Sequence, residues 1–205
     1  MEKVAARFGF WCALIAFLAA AGYSVVQILQ VLGLVGPPWD AVLIYAFSFA
    51  IAWPFMLAIL ALHRLTPERL KLWSGAGLLF AVMYAVYVCL MYVVQLGTAI
   101  PLTLRGTPNT LFAVDRYSLF WVIDGMGYIC MGLSTLFAAA AFDREELWIR
   151  RFFVANGLFT AVIVFIYFYP AFSIRLLLLG TPWILTAPGS ILLLAVHFAR
   201  QARRT

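Results

Sequence analysis

The sequence predicts an all-α polytopic membrane protein, a six-helix transmembrane bundle with both termini in the cytoplasm. Three observations carry that reading. The 205 residues are 66% hydrophobic and only 11% charged, whereas a water-soluble domain is about 45–50% apolar and about 25% charged. Six continuous apolar stretches each approach the roughly 20 helical residues needed to cross about 30 Å of hydrocarbon. The basic residues, finally, are distributed very unevenly between alternate connections.

The stretches run Phe10–Leu34, Ala41–Leu62, Leu72–Leu96, Ser118–Phe142, Phe152–Tyr169 and Leu176–Phe198, and form one domain spanning residues 1–205. They are unbroken rather than alternating, and a barrel strand needs only about 9–11 residues, so helices are expected. The first stretch imitates a signal peptide, with Lys3 and Arg7 ahead of an apolar run. That run continues to Leu34, however, past the roughly 7–15 residues of a cleaved signal core, and is expected to remain as a helix. Gly36-Pro37-Pro38 turns the chain into the second helix, and Thr66-Pro67-Glu68 starts the connection to the third. The segment from Gly97 to Tyr117 is the one long loop. Within it Thr107-Pro108 reads as a cap followed by a first helical residue, predicting a short interfacial helix from Pro108 towards Arg116. The connection Asp143-Arg144-Glu145-Glu146 reads as a solvated, salt-bridged turn.

Orientation follows from charge. Lys3, Arg7, Arg64, Arg69, Lys71, Arg144, Arg150, Arg151, Arg200, Arg203 and Arg204 fall at one end of the predicted helices. Arg105, Arg116 and Arg175 fall at the other. Cytoplasmic loops carry the basic excess, which places the termini inside. The net charge of +6 therefore marks orientation, and no nucleic-acid partner is expected. Trp11, Trp73 and Trp148 are predicted at the inner interface and Trp39, Trp121 and Trp183 at the outer, where indole rings prefer to lie. Trp53, beside Pro54 in mid-helix, is the exception. The cysteines, Cys12, Cys89 and Cys130, are scattered through apolar runs without metal-type spacing and read as packing residues.

A polar side chain in lipid must find a partner, so intramembrane polar positions carry the functional signal. They concentrate towards the outside. Gln27 and Gln30 share a face of the first helix, Tyr92 and Gln95 stand near the outer end of the third, and Asp124 and Tyr128 follow at i, i+4 in the fourth. Tyr167 lies near the exit of the fifth. Asp124 lies roughly 9 Å along its helix at 1.5 Å per residue. Its charge needs a cation, a proton or hydrogen-bond donors, and Arg105, Arg116 and Arg175 are the candidate ion-pair partners. Gly125 and Gly132, seven residues apart, are expected at a helix–helix contact, while Pro54 and Pro188 are expected to kink their helices.

These residues support three readings. The first is binding or transport of an apolar or cationic small molecule in an outward-facing pocket lined by Asp124, Tyr128, Gln27, Gln30, Gln95, Tyr92 and Tyr167. The second is a membrane-embedded enzyme acting on a lipid-like substrate with Asp124 as acid or base. The third is a structural or assembly subunit, as a homo-oligomer or with a membrane partner. The first accounts best for the one-sided polar distribution. No catalytic residue can be assigned. His63 and His197, at inner helix ends, could in principle ligate haem or a metal, but each stands by basic residues where an interfacial anchor is expected, and no cofactor is predicted. Phosphate-loop, nucleophile-elbow and zinc-protease motifs are missing.

Gly127-Tyr128, Met131-Gly132-Leu133, Leu136-Phe137-Ala138-Ala139, Trp148-Ile149-Arg150-Arg151 and Ala155-Asn156-Gly157 form a pattern that resembles prokaryotic six-helix integral membrane proteins of unassigned activity. The resemblance covers about a fifth of the chain. It implies a multi-pass protein of a bacterial inner membrane and assigns no catalytic residue.

Overall fold

Residues 2–142, 146–170 and 173–204 are described by the computed structural model, and among them the chain is helical with no strand. Six helices are long and apolar enough to span a membrane. These are α1 (Glu2–Val31), α2 (Trp39–Leu65), α3 (Lys71–Val94), α5 (Leu119–Ala138), α6 (Leu147–Phe168) and α8 (Trp183–Arg204). Two short helices, α4 (Ile100–Leu104) and α7 (Ile174–Leu178), lie in the connections. The Asp143-Arg144-Glu145 turn lies outside the described residues.

Each long helix packs on the next, and α8 returns to pack on α1, closing a ring. Every neighbouring pair is antiparallel, as the cross-helix contacts show. Tyr45 stacks on Tyr92 while His63 bonds Ser74 at the other end of the α2–α3 pair. Between α1 and α8, Tyr23 meets Trp183 at one end, and at the other Phe198 lies against Gly9. The chain ends, the 66–70 connection and Glu146 therefore share one end of the bundle, here the termini end.

Small residues make the close approaches possible. Ala6, Gly9, Ala13, Ala16, Ala20 and Tyr23 are buried at 3/4 spacing along α1, one continuous helical stripe. A Cβ at Gly9 would stand 2.7 Å from the Phe198 ring. The expected helix contact at Gly125 and Gly132 is present. A Cβ at Gly125 would collide with the Tyr167 ring, and one at Gly132 with the Thr160 hydroxyl, both on α6. Next to them Asn156 donates to Thr135 at 3.1 Å and accepts from Thr186 at 3.2 Å, tying α5, α6 and α8 together in the buried interior.

Several expectations are corrected. The last span starts at Trp183 rather than Leu176, because Pro182 lacks an N–H and disfavours helical geometry in the residue before it. Its carbonyl instead accepts from Leu185 and Thr186 and opens α8. The third helix does not stop near Leu96. It passes through a π turn, Gln95–Ala99, into α4. There Ile100 N–H reaches back five residues to Gln95, a widened turn that absorbs the amide missing at Pro101. The interfacial helix expected from Pro108 is a single 3-10 turn, Thr110–Phe112, capped by Asn109, whose side chain accepts from Leu111 N–H at 2.9 Å. Thr107 turns back to the Leu102 carbonyl instead. Trp183, expected at the interface, is 8% exposed and packs inside the bundle. Pro54 and Pro188 lie inside α2 and α8, where the sequence places them.

Candidate ligand-binding site

At the end opposite the termini, the ring interior is filled by one large polar aromatic side chain or more from every long helix. Tyr45 of α2 stacks on Tyr92 of α3, with centroids 5.5 Å apart. The Tyr92 hydroxyl donates to Asp124 Oδ1 at 2.8 Å, and the Tyr167 hydroxyl donates to Oδ2 at 2.9 Å. Two phenols on two different helices thus hold the carboxylate of α5. Trp121, one turn earlier on α5, stacks on Tyr167 at 4.5 Å, which fixes the ring that reaches Asp124.

A second hydrogen-bonded group lies beside the first. Gln27 Nε2 donates to the Tyr23 hydroxyl at 3.2 Å, and Tyr23 and Tyr128 share a hydroxyl–hydroxyl bond of 3.3 Å. Trp183 packs edge-on against both tyrosine rings, at 5.6 Å from Tyr23 and 4.8 Å from Tyr128. Edge-to-face aromatic contact adds about 0.5–1.5 kcal/mol beyond simple burial, so Trp183 orients both phenols as well as filling space.

A cavity of about 540 Å³ opens between α1, α5, α6 and α8. Its floor carries Tyr23, Gln27, Tyr128, Tyr167 and Trp183, and its walls are Ile163, Ile166 and Ile184. Ile28, Val31, Leu32, Leu178, Gly180 and Thr181 complete the lining on the outer side, where Val31 is 83% and Leu178 58% exposed. The cavity follows from the late start of α8. With helical structure broken at Gly180-Thr181-Pro182, no long helix fills the space between the last turns of α1 and the end of α6.

The seven residues expected to bind ligand separate into three groups. Gln27, Tyr128 and Tyr167 line the cavity. Asp124 and Tyr92 are connected to it through Tyr167, whose ring lines the cavity and whose hydroxyl reaches the carboxylate. Gln30 and Gln95 are committed elsewhere. Gln30 donates to Asp40 Oδ2 at 3.0 Å across the α1–α2 turn, and Gln95, buried at the π turn, donates to the Phe112 carbonyl at 2.8 Å, fastening the long connection. Arg105, Arg116 and Arg175, proposed as partners of Asp124, are exposed, and the hydrogen bonds made to the carboxylate come from tyrosines.

Tyr23 and Trp183 are the site residues that sequence reading missed. Tyr23 was legible, since it stands four residues before Gln27 on the same helical face. Trp183 was hidden by misplacing the start of its helix. The two histidines each bond a side chain at the termini end: His63 Nδ1 lies 2.9 Å from Ser74 Oγ and His197 Nδ1 2.6 Å from Glu146 Oε1. Comparison with protein-family models, curated proteins and solved structures gives no match.

Proposed function

We propose that this protein binds an apolar small molecule carrying one neutral polar group, in the cavity between α1, α5, α6 and α8, with the termini end cytoplasmic and the cavity in the outer leaflet of a bacterial inner membrane. The observation that carries the reading is the cavity's polarity gradient. Its rim is largely aliphatic and exposed, as suits a molecule arriving from lipid, and the Thr181 hydroxyl there is already spent on the Leu178 carbonyl, while Gln27, Tyr23 and Tyr128 gather hydrogen-bonding atoms at its floor. Because Gln27 donates to the Tyr23 oxygen, the Tyr23 proton is free to serve Tyr128 and the Tyr128 proton to serve a ligand acceptor. A volume of about 540 Å³ falls within the roughly 300–1,000 Å³ of small-molecule sites.

A neutral ligand is preferred to a cationic one because both Asp124 oxygens accept from phenols and no carboxylate forms the cavity wall. Binding is preferred to acid–base catalysis for the same reason: the Asp124 carboxylate is screened from the cavity by Tyr167.

The test uses the protein in nanodiscs and dodecanol brominated at the carbon next to its hydroxyl, which sets the bromine at the floor beside Trp183. Tryptophan quenching is expected to contain a saturable component, lost in Trp183→Phe and shifted about 3–10-fold to weaker affinity in Tyr128→Phe, the loss of one hydrogen bond of about 0.5–1.5 kcal/mol. Quenching that rises linearly with probe and is the same in Trp183→Phe would overturn the proposal.

A further inference from the structure

At the termini end a second groove, of about 360 Å³, lies between α3, α5 and α6, away from the cavity described above. Its origin is local. After Phe137, α5 passes into a tight 3-10 turn of three alanines, Ala139–Ala141, and side chains this small leave the space between α3 and α6 unfilled. One wall is aromatic: Trp73 stacks on Phe137 at 6.1 Å, and Phe137 on Phe80 at 5.5 Å. The other wall is Val154 of α6. Arg150, one turn before Val154 and on the same helical face, is the one charged residue of the lining and is exposed at its edge. No hydrogen bond or ion pair engages Arg150 among the described residues. Arg151 beside it is occupied differently, its guanidinium 5.8 Å from the Trp148 ring.

An apolar slot in the membrane-spanning surface, closed at its end by a single guanidinium and flanked by an indole, has the chemistry of a phospholipid. We infer that this groove binds one anionic phospholipid of the leaflet at the termini end, its acyl chain against Trp73, Phe137 and Val154 and its phosphate on Arg150. Guanidinium matches phosphate with paired charge-assisted donors. A basic pocket between helices favours an anionic headgroup over a zwitterionic one. The basic end of the molecule, where Arg64, Arg69, Lys71, Arg200, Arg203 and Arg204 also gather, raises the local concentration of such lipids, and the groove selects one of them.

The experiment compares phosphatidylglycerol and phosphatidylcholine, each brominated in the acyl chain, in bilayers containing the full-length protein. The Trp73-dependent emission is isolated as the difference between the native protein and Trp73→Phe. Brominated phosphatidylglycerol is expected to quench that component at least threefold more strongly per mole than brominated phosphatidylcholine. Arg150→Gln should remove most of that preference, leaving the small excess the other basic residues produce, and Arg151→Gln, which removes an equal charge next to the groove, should leave it unchanged. Inorganic phosphate at millimolar concentration should not compete, since the acyl chain contributes to binding. A ratio of one in the native protein, an unchanged ratio in Arg150→Gln, an equal loss in Arg151→Gln, or competition by free phosphate would each overturn the assignment.

Discussion

Asp124 illustrates how a carboxylate can be housed inside a membrane bundle without a cation. Each of its oxygens accepts one phenol, from Tyr92 and Tyr167, and the aromatic bodies of those side chains supply the surrounding apolar volume. Asp124→Asn keeps the shape but replaces one acceptor with an amide that cannot accept, so one phenol loses its partner. That change is expected to lower stability by about 1–3 kcal/mol. Tyr167→Phe removes the donor that the amide displaces, so the double variant should be less destabilised than the sum of the single ones. Thermal unfolding in detergent measures the three variants, and strict additivity would show that the contact is not an energetic unit. Asp124 was legible as the residue needing a partner. That its partners are tyrosines was not, because Tyr92 and Tyr167 lie 32 and 43 residues away, on the helices before and after α5, and which of their faces meet it is set by packing and not by local spacing. Gln30 and Gln95 mislead for the opposite reason. An intramembrane amide near a helix end reads the same whether it faces a cavity or fastens a turn.

At the scale of elements, the six spans were legible because apolar length alone selects them, while their ends were not. The ends depend on local exceptions: a proline, Pro182, that delays the start of α8, and another, Pro101, accommodated by the π turn before it. Two helices are also tied at the termini end by histidines that follow a buried or kinkable proline by nine residues, Pro54 to His63 and Pro188 to His197. His197 joins α8 to Glu146 at the head of α6, and that hydrogen bond holds the Glu146 carboxyl below its ordinary value of 4.5. A group whose pKa is depressed by folding stabilises the folded state above its unfolded pKa and loses that contribution as pH falls through the folded one. The unfolding temperature is therefore expected to drop as pH is lowered below about 4.5. Glu146→Gln should start lower at neutral pH and show a shallower drop. Identical acid profiles for native protein and Glu146→Gln would remove the pair from the stability of this end.

For the whole molecule, closure of the ring decides where function can reside. Six antiparallel helices of which the last packs on the first leave no lipid-filled centre. The interior is packed with Phe55, Phe153 and Phe198 and, towards the other end, with the tyrosine cluster. The larger cavity opens where a helix falls short, since α8 begins at Trp183 while its neighbours continue outward. The cavity thus lies at the end carrying few basic residues, and the lipid groove at the end carrying most of them. The two proposals consequently make one joint demand on orientation. If the basic end is cytoplasmic, as the loop charge bias predicts, a cysteine at position 105 must be reachable from outside intact cells and one at position 203 must not. Arg105→Cys and Arg203→Cys, each placed in a background lacking Cys12, Cys89 and Cys130, can be compared with a membrane-impermeant maleimide before and after permeabilisation. Labelling of position 105 in intact cells, and of position 203 only after permeabilisation, is the expected result. The reverse pattern would put the cavity in the cytoplasmic leaflet, and its ligand would then have to be sought on that side.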